Sequence, residues 1–203
     1  MANKTYIQSF CTIEENQIKV NGKILFEKEQ SLFSDFSKSV YQHFNIDYPK
    51  FFKMDNLSKL AFLATELLLE KTENEEQENN TALVFSNKSS SLDTDTKYQS
   101  SITDKGSYYP SPAVFVYTLP NICLGEISIR HQLKSENSFF VFAQFNPLFM
   151  MNYANILLEK NKATSVLCGW VEYFDEEYKT LLYLVGAEGE LEHSEESIKK
   201  LYK

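Results

Sequence analysis

The feature that most constrains this sequence is a helix that is apolar on nearly every side. It follows Asn146-Pro147, a strong helix start, because asparagine caps the first turn and proline lacks only an N–H that would be unpaired there. The segment that continues from it, LFMMNYANILLEK, has almost no polar face. A helix of this kind must be covered all round, so the fold needs material on more than one side of it.

Apolar strands and amphipathic helices alternate along the rest of the chain. This order predicts an α/β fold with a mixed, mainly parallel five-stranded sheet, helices on both faces and a final antiparallel strand. Asn21-Gly22 predicts a hairpin within 14–30. The polar segments 71–80 and 88–107 are predicted loops. Strands are predicted at 4–13, 81–87, 137–145, 164–174 and 180–189, and helices at 31–45, 55–71 behind Asp55, 121–131, 147–159 and 194–202 behind Ser194.

Composition limits the class of protein. The 203 residues, 43% of them hydrophobic, predict one domain that builds a core without disulfides. The 20 basic and 28 acidic residues give a formal charge of -8, which opposes binding to nucleic acid. The three cysteines are widely separated and indicate a reducing compartment. No segment is apolar enough for a signal sequence or a membrane span, so we expect a cytoplasmic protein without membrane contact.

The junction at 143–147 is where catalysis would be expected. In open α/β sheets, ligands bind at the carboxyl ends of strands, and a helix that begins there lowers the pKa of a thiol or stabilises an oxyanion. The residue at this position is Gln144. An amide is not a nucleophile at neutral pH, and 143–147 contains no Ser, Cys, Asp or Lys. Covalent catalysis therefore has no agent at its expected place.

Other candidate side chains have simpler interpretations. His131 ends the predicted helix 121–131, where the helix dipole favours an imidazolium. Glu126 is interpreted as a rim residue paired with Arg130 four positions later, although a perturbed carboxylate is the alternative. No metal-ligand spacing or phosphate loop is present, so no cofactor is expected. Cys123 and Cys168 are interpreted as core residues, His43 as part of an exposed helix and His193 as part of a helix cap.

Three segments together resemble the N-terminal half of the β-ketoacyl-acyl-carrier-protein synthases, which have the thiolase-like fold. They are YPKFFKMDNLSKLAFLATELLLEK (48–71), LPNICLGEISIRHQL (119–133) and TSVLCGWVEYF (164–174), and the resemblance covers roughly 4–190. In this register the family's acylated cysteine aligns with Gln144. Within the family, glutamine at this position is the hallmark of chain-length-factor subunits and of decarboxylating loading domains, neither of which condenses acyl groups by itself.

The resemblance implies a catalytically inactive subunit, a pseudoenzyme. The family's two catalytic histidines come from a C-terminal copy of the α/β half, which this sequence does not include. The bulky run 145–149 replaces a small, glycine-rich segment at the mouth of the family's acyl pocket. We therefore expect a single ketosynthase-like N-terminal domain over 1–203, with a hairpin and helix insertion at 14–47 and a terminal helix at 194–202. These extra segments, or another subunit, are expected to cover the helix 147–159.

The resemblance also implies a partner. A chain-length-factor-like subunit would pair, through the strand 137–142, with a full-length ketosynthase, or with itself as a homodimer, in a polyene, pigment or other polyketide or fatty-acid-type pathway. An exposed apolar strand edge is an aggregation hazard unless it is paired, which independently favours an oligomer. The residues expected at the interface and at the partner's acyl tunnel are Val114, Phe115, Tyr117, Asn137, Phe139, Phe140 and Phe142.

Two alternatives stay open. One is an acyl-transfer enzyme of altered chemistry that uses Glu126, His131 or the serines of 89–91. The other is a module that docks an acyl carrier protein through a local patch of Lys50, Lys53 and Lys59. Acyl carrier proteins are acidic, so the net charge of this chain would repel them everywhere except at such a patch.

Overall fold

The computed structural model describes residues 4–69, 79–103, 106 and 108–203. Within them one mixed sheet of eight strands has helices on both faces, which confirms the predicted fold class. The predicted loop at 71–80 lies mostly outside the described residues. The strands are β1 (Tyr6–Glu14), β2 (Gln17–Val20), β3 (Lys23–Glu27), β4 (Thr81–Asn87), β5 (Asn137–Val141), β6 (Ser165–Phe174), β7 (Glu177–Gly186) and β8 (Leu191–Glu192). The helices are α1 (Phe33–His43), α2 (Asn56–Glu66), α3 (Leu92–Thr103), α4 (Pro112–Val116), α5 (Ile122–His131), α6 (Pro147–Glu159) and α7 (Glu195–Tyr202), with a 3₁₀ helix at Pro49–Lys53.

The sheet has more strands, and more antiparallel pairs, than the sequence predicted. The order is β3-β2-β1-β7-β6-β4-β5, with β8 beside β1. Only β4–β5 and β4–β6 are parallel, and the other pairs are antiparallel. The predictions of five strands and of a mainly parallel sheet were therefore wrong. The reason is that two-residue turns can join only antiparallel strands, and three such hairpins, β1–β2, β2–β3 and β6–β7, contribute five of the strands.

All three hairpins turn through residues with positive φ. Glu15 and Asn16, between β1 and β2, have φ of 48° and 59°. Asn21 and Gly22, between β2 and β3, have φ of 50° and 77°. Asp175 and Glu176, between β6 and β7, have φ of 50° and 65°. Two consecutive residues of this kind match the twist of the flanking strands. The hairpin predicted from Asn21-Gly22 is confirmed.

Alternate residues of the central strand β4 point to two separate cores. Leu83 and Phe85 pack with α1, α2 and α5 on one face of the sheet. Ala82 and Val84 pack with α6 and α7 on the other face. All seven residues of β4 are buried, as expected for a strand with neighbours on both sides and helices on both faces.

The two extra segments cover different faces. Phe33 and Phe36 of α1, within the segment 14–47, belong to the core beside α2, so this segment does not cover α6. The terminal helix α7 does pack against α6, and its Ile198 is fully buried there. Two apolar side chains of α6, Leu148 and Ile156, remain 46% and 54% exposed. The cover expected for α6 is thus supplied in part by α7.

The predicted loop at 88–107 contains a helix, α3, and this prediction was wrong. Only Thr94 of α3 is buried, so the helix has no apolar periodicity that could reveal it. Local polar contacts stabilise it instead. Asp93 lies in the first turn, where the helix dipole favours a negative charge, and pairs with Lys97 at 2.6 Å.

Candidate functional site

The corner between β5 and α6 holds Gln144, as the sequence predicts. β5 ends at Val141, α6 begins at Pro147, and Gln144 lies exposed between them. The Asn146 side chain accepts a hydrogen bond from the Phe149 N–H at 3.0 Å, which confirms the predicted cap. At the other end of the corner, the Phe142 N–H donates to the Asn87 carbonyl at 2.9 Å. Both sides of the corner are therefore fixed.

The residue after Gln144 is held by aromatic packing. Phe145 is buried, and its ring centroid lies 5.7 Å from that of Trp170 and 4.6 Å from that of Tyr202. Between Phe142 and Asn146 no side chain carries a nucleophile or an acid–base group. The packing leaves the Gln144 carboxamide as the polar side chain presented at the turn.

None of the three cysteines could replace the nucleophile that is missing at position 144. Cys11, Cys123 and Cys168 are free and buried, which confirms the interpretation of Cys123 and Cys168 as core residues. Burial raises the pKa of the Cys168 thiol to about 12. Burial also raises the pKa of Cys11 and of Cys123 well above the ordinary thiol range. A thiol is a nucleophile only as its thiolate, so these three are inert.

The strand that leads into the corner forms one edge of the sheet. β5 stands last in the strand order, hydrogen-bonded to β4 on one side. Asn137 and Val141 are exposed, and Phe139 is half-buried against the core beside α2 and α5. Phe140 and Phe142, on the α6 side, lie with their ring centroids 4.7 Å and 5.0 Å from that of Phe149. The sequence from Asn137 to Leu158 carries no charged residue, which is typical of an interface core.

A second uncharged surface surrounds α4. No charged residue occurs from Tyr108 to Gly125, and none of the residues of α4 is buried. Phe115 and Val116 are 58% and 48% exposed, and Val114 is half-buried. Exposed apolar residues grouped in this way mark contact surfaces more often than isolated ones do.

Tyr117 does not belong to that exposed surface. It is buried, and its hydroxyl donates to Glu126 Oε1 at 2.9 Å. Tyr117 caps the C-terminal end of α4, and its ring turns inward towards α5. Its predicted role at a partner's acyl tunnel remains a prediction.

The predicted pair of Glu126 and Arg130 was also wrong. Glu126 is buried, and its second oxygen, Oε2, lies 2.8 Å from Lys50 Nζ. The hydrogen bond to Glu126 raises the pKa of Lys50. Arg130 instead donates to both oxygens of Glu66 at 2.9 Å and 3.0 Å. Spacing along α5 suggested the pair, but packing of α5 against α2 and the 3₁₀ helix brings partners from distant parts of the sequence.

Glu66 is a buried carboxylate that the sequence did not reveal. His131 Nε2 lies 2.9 Å from Glu66 Oε1, so His131 has a buried partner as well as its place in the last turn of α5. Burial opposes the ionisation of Glu66, but His131 and Arg130 outweigh it and lower the pKa of Glu66 to about 2. The contacts of Glu66 with Arg130 and His131 join α2 to α5. No local sequence motif around Glu66 predicts them.

The predicted exposure of His43 is confirmed, and His193 lies beside a helix cap as predicted, directly before Ser194, the capping residue of α7. His43 is exposed at the end of α1. His193 is buried, with Nδ1 3.3 Å from Thr5 Oγ1 and 3.2 Å from Asn155 Oδ1. Burial lowers the pKa of His193 to about 4, so the ring is neutral at physiological pH.

Most of the serine and lysine side chains proposed for the two alternative functions make contacts within this chain. The Ser91 hydroxyl donates to the Thr118 carbonyl at 2.6 Å. Of the predicted carrier-protein patch, Lys50 is paired with Glu126, and Lys59 is half-buried with its pKa lowered by burial. Lys53 is exposed. Among the described residues, no group of three or more Cys, His, Asp or Glu side chains could hold a metal ion.

Hydropathy along the helices gives one further observation. Within the described part of the chain, no helix combines the length and the apolar character that crossing a bilayer would require.

Comparison with known proteins identifies the fold. No protein-family model and no curated protein matches the sequence. A solved ishigamide ketosynthase/chain length factor superposes with a TM-score of 0.64 at 19% identity, over 90% of this chain and 62% of that chain. This chain has the ketosynthase fold. The thiolase-like half fold implied by the sequence resemblance is therefore confirmed.

Two further ketosynthase structures show the same likeness. One is a type II polyketide synthase acyl-carrier protein in complex with its ketosynthase, matched with a TM-score of 0.64 at 12% identity over 92% of this chain and 63% of that chain. The other is a ketosynthase in complex with its chain length factor from Xenorhabdus doucetiae, with a TM-score of 0.57 at 13% identity over 93% and 80% of the two chains. The chain thus spans less than two thirds of the length of the first two ketosynthase-fold chains.

Proposed function

We propose that this chain is a noncatalytic ketosynthase-like subunit that acts, like a chain length factor, as the partner of a full-length ketosynthase. One observation carries the proposal: an exposed carboxamide, Gln144, occupies the strand-to-helix corner where this fold would need a nucleophile. The three buried cysteines supply no substitute thiolate.

The edge of β5 supports pairing with another chain. An open strand edge presents unpaired N–H and C=O groups, and an uncharged, aromatic edge is a hazard in solution unless a partner covers it. Val141 is 53% exposed at this edge, and the ring cluster of Phe140, Phe142 and Phe149 lies directly beside it. A second ketosynthase-fold chain that adds its own edge strand would pair these backbone groups and bury the aromatic side chains.

The solved neighbours support the class of partner and of pathway. Two of them are described as ketosynthase and chain-length-factor structures, and a third as a ketosynthase with its acyl-carrier protein. We therefore propose a heterodimer with a full-length ketosynthase in a polyene, pigment or other polyketide or fatty-acid-type pathway. A homodimer through the same strand is the alternative assembly, and the acyl carrier protein would be a further partner of the complex.

Co-purification with matched edge variants tests the pairing. The tagged chain is co-expressed with each full-length ketosynthase of its own organism, and the complex is sized by analytical ultracentrifugation. Val141→Asp should abolish the complex, because it places a charge on the β5 edge. Ile24→Asp is the matched control, since Ile24 is 54% exposed on β3, the opposite edge of the sheet. A wild-type chain that stays monomeric with and without every ketosynthase, or equal loss in both variants, would contradict the proposal.

A further inference from the structure

The helix α4 is ordered although packing does not hold it. It contains five residues, Pro112–Val116, and none of them is buried. A single helical turn is marginal in water, because the cost of nucleating it is not repaid over such a short length. The Tyr98 ring contacts Phe115 at a centroid distance of 5.3 Å, but Phe115 still remains largely exposed. Other contacts must therefore fix the position of α4.

Polar contacts at its C-terminal end supply that anchor. Tyr117 is the capping residue of α4, and its hydroxyl donates to Glu126 Oε1 at 2.9 Å. The next residue, Thr118, accepts a hydrogen bond on its carbonyl from the Ser91 hydroxyl at 2.6 Å. At the other end the Ser111 side chain accepts from the Val114 N–H at 3.4 Å, which is a weaker contact. The Tyr117 ring packs in the core beside α2 and α5, and its buried bond to Glu126 fixes the end of α4 there.

Glu126 can hold Tyr117 because both of its oxygens have partners. Its side chain is 6% exposed, and Lys50 Nζ lies 2.8 Å from Oε2, whereas the Lys50 side chain is 44% exposed. A buried carboxylate without partners would be costly, and the ammonium compensates its charge. The Tyr117 hydroxyl is protonated at neutral pH and can donate, and burial and the bond to Glu126 raise its pKa further. Lys50, Glu126 and Tyr117 therefore form a connected series of contacts from the surface to the end of α4.

We infer that Glu126 is a positioning residue that holds α4, through Tyr117, in the orientation in which Phe115 and Val116 meet the ketosynthase partner. This inference rests on the proposed function. An apolar element that is already ordered before association loses less conformational entropy on binding, and so binds more tightly than a mobile one. The uncharged stretch from Tyr108 to Gly125 is consistent with a contact that excludes charge.

Hydrogen exchange in the free chain tests the anchor without a partner. Tyr117→Phe removes the hydroxyl and keeps the ring, and the amides of 112–118 should then exchange faster than in the wild type. Tyr173→Phe is a matched control, because the Tyr173 hydroxyl also donates to a glutamate at 2.9 Å, but to Glu176 in the β6–β7 turn and not to Glu126. It should leave the exchange of 112–118 unchanged. Unchanged exchange in Tyr117→Phe would overturn the inference.

Affinity for the ketosynthase that co-purifies tests the consequence. Tyr117→Phe should weaken binding by about tenfold, because the binding-competent orientation of α4 becomes a minor population. Lys50→Met should weaken it as well, Lys50→Arg should restore it, and Tyr173→Phe should bind like the wild type. Wild-type affinity in Tyr117→Phe, or equal weakness of the two Lys50 variants, would overturn the inference.

The two proposals fail in different ways. If the wild-type chain binds no ketosynthase, the proposed function is contradicted, and the exchange of 112–118 alone decides whether Glu126 positions α4. If the wild type binds and Tyr117→Phe binds equally well, the proposed function stands and the positioning role is contradicted.

Discussion

The ring of Tyr202, in the last turn of α7, lies 4.6 Å from the ring of Phe145, the residue that directly follows Gln144. The terminal helix thus closes the core directly behind the corner at which a nucleophile would be expected. Trp170 of β6 completes the cluster at 5.7 Å from Phe145 and 6.3 Å from Tyr202. The corner is therefore supported by residues from three distant parts of the chain.

This contact predicts a stabilising role for the terminal helix. Tyr202→Ala should lower the free energy of unfolding by about 1–2 kcal/mol, less than for a fully buried aromatic side chain because Tyr202 is half-buried. Tyr202→Phe keeps the ring and should remain close to the wild type. Urea denaturation measures both, and equal stability of Tyr202→Ala and the wild type would show that α7 does not support the corner.

The buried charges between α2 and α5 give a second prediction. Glu66→Gln should lower the free energy of unfolding by about 3 kcal/mol at pH 7, because it leaves Arg130 and His131 without their buried anionic partner. Glu195→Gln is the control. It breaks the exposed ion pair with Lys199 and should change stability little. Similar losses in the two variants, measured by denaturant titration, would contradict the account of Glu66.

His193 predicts a dependence of stability on pH. Its pKa is about 4 in the folded chain and 6.5 in the unfolded chain, so between these values the unfolded state binds more protons. Its contribution is therefore complete above pH 6.5 and is lost as the pH falls towards 4. Between pH 4 and 6.5, the free energy of unfolding should rise less steeply with pH in His193→Gln than in the wild type, by up to about 1.4 kcal/mol per pH unit. Identical slopes for variant and wild type would contradict the burial of a neutral ring.

Glu66 affects stability in a lower pH range than His193, so the two contributions can be measured separately. Its folded pKa of about 2 lies below the ordinary value of 4.5, so its stabilisation is present above pH 4.5 and is lost as the pH falls towards 2. The difference between Glu66→Gln and the wild type should therefore shrink below pH 4.5.

The close approach of β6 and β7 predicts that Gly169 tolerates no side chain. Its φ is 149°, and an added Cβ would lie 1.9 Å from the Leu181 carbonyl oxygen. Gly169→Ala should therefore destabilise the fold by about 3 kcal/mol or more. Gly125→Ala in α5 is the matched control, since nothing lies within 4 Å of its added Cβ. It should leave stability unchanged or raise it by about 1 kcal/mol, as expected for a glycine inside a helix. Thermal unfolding of both variants checks the contrast.

Features set by a few neighbouring residues could be predicted from the sequence. Asn146-Pro147 predicted the start of α6 and the place of Gln144, because a cap needs only an amide oxygen and the next few N–H groups. Asn21-Gly22 predicted its hairpin for the same reason, since the turn depends on the positive φ of two residues.

Features set by distant residues could not be predicted in this way. Arg130 has a neighbour of opposite charge at Glu126, yet its carboxylate partner is Glu66. Glu126 in turn meets Lys50, which lies far away in sequence. The mainly parallel sheet was predicted wrongly for a related reason, because the antiparallel pairing of β1 with β7 joins distant parts of the sequence. Helix α3 was missed because polar contacts, and not a buried face, stabilise it.

Intact-protein mass spectrometry of the purified complex, after incubation with an acylated carrier protein, tests directly whether this chain is noncatalytic. The acyl group should appear on the ketosynthase alone, and this chain should keep its unmodified mass both in the complex and when incubated by itself. A covalent acyl adduct on this chain, or condensation product formed in the absence of the ketosynthase, would contradict the proposed noncatalytic role.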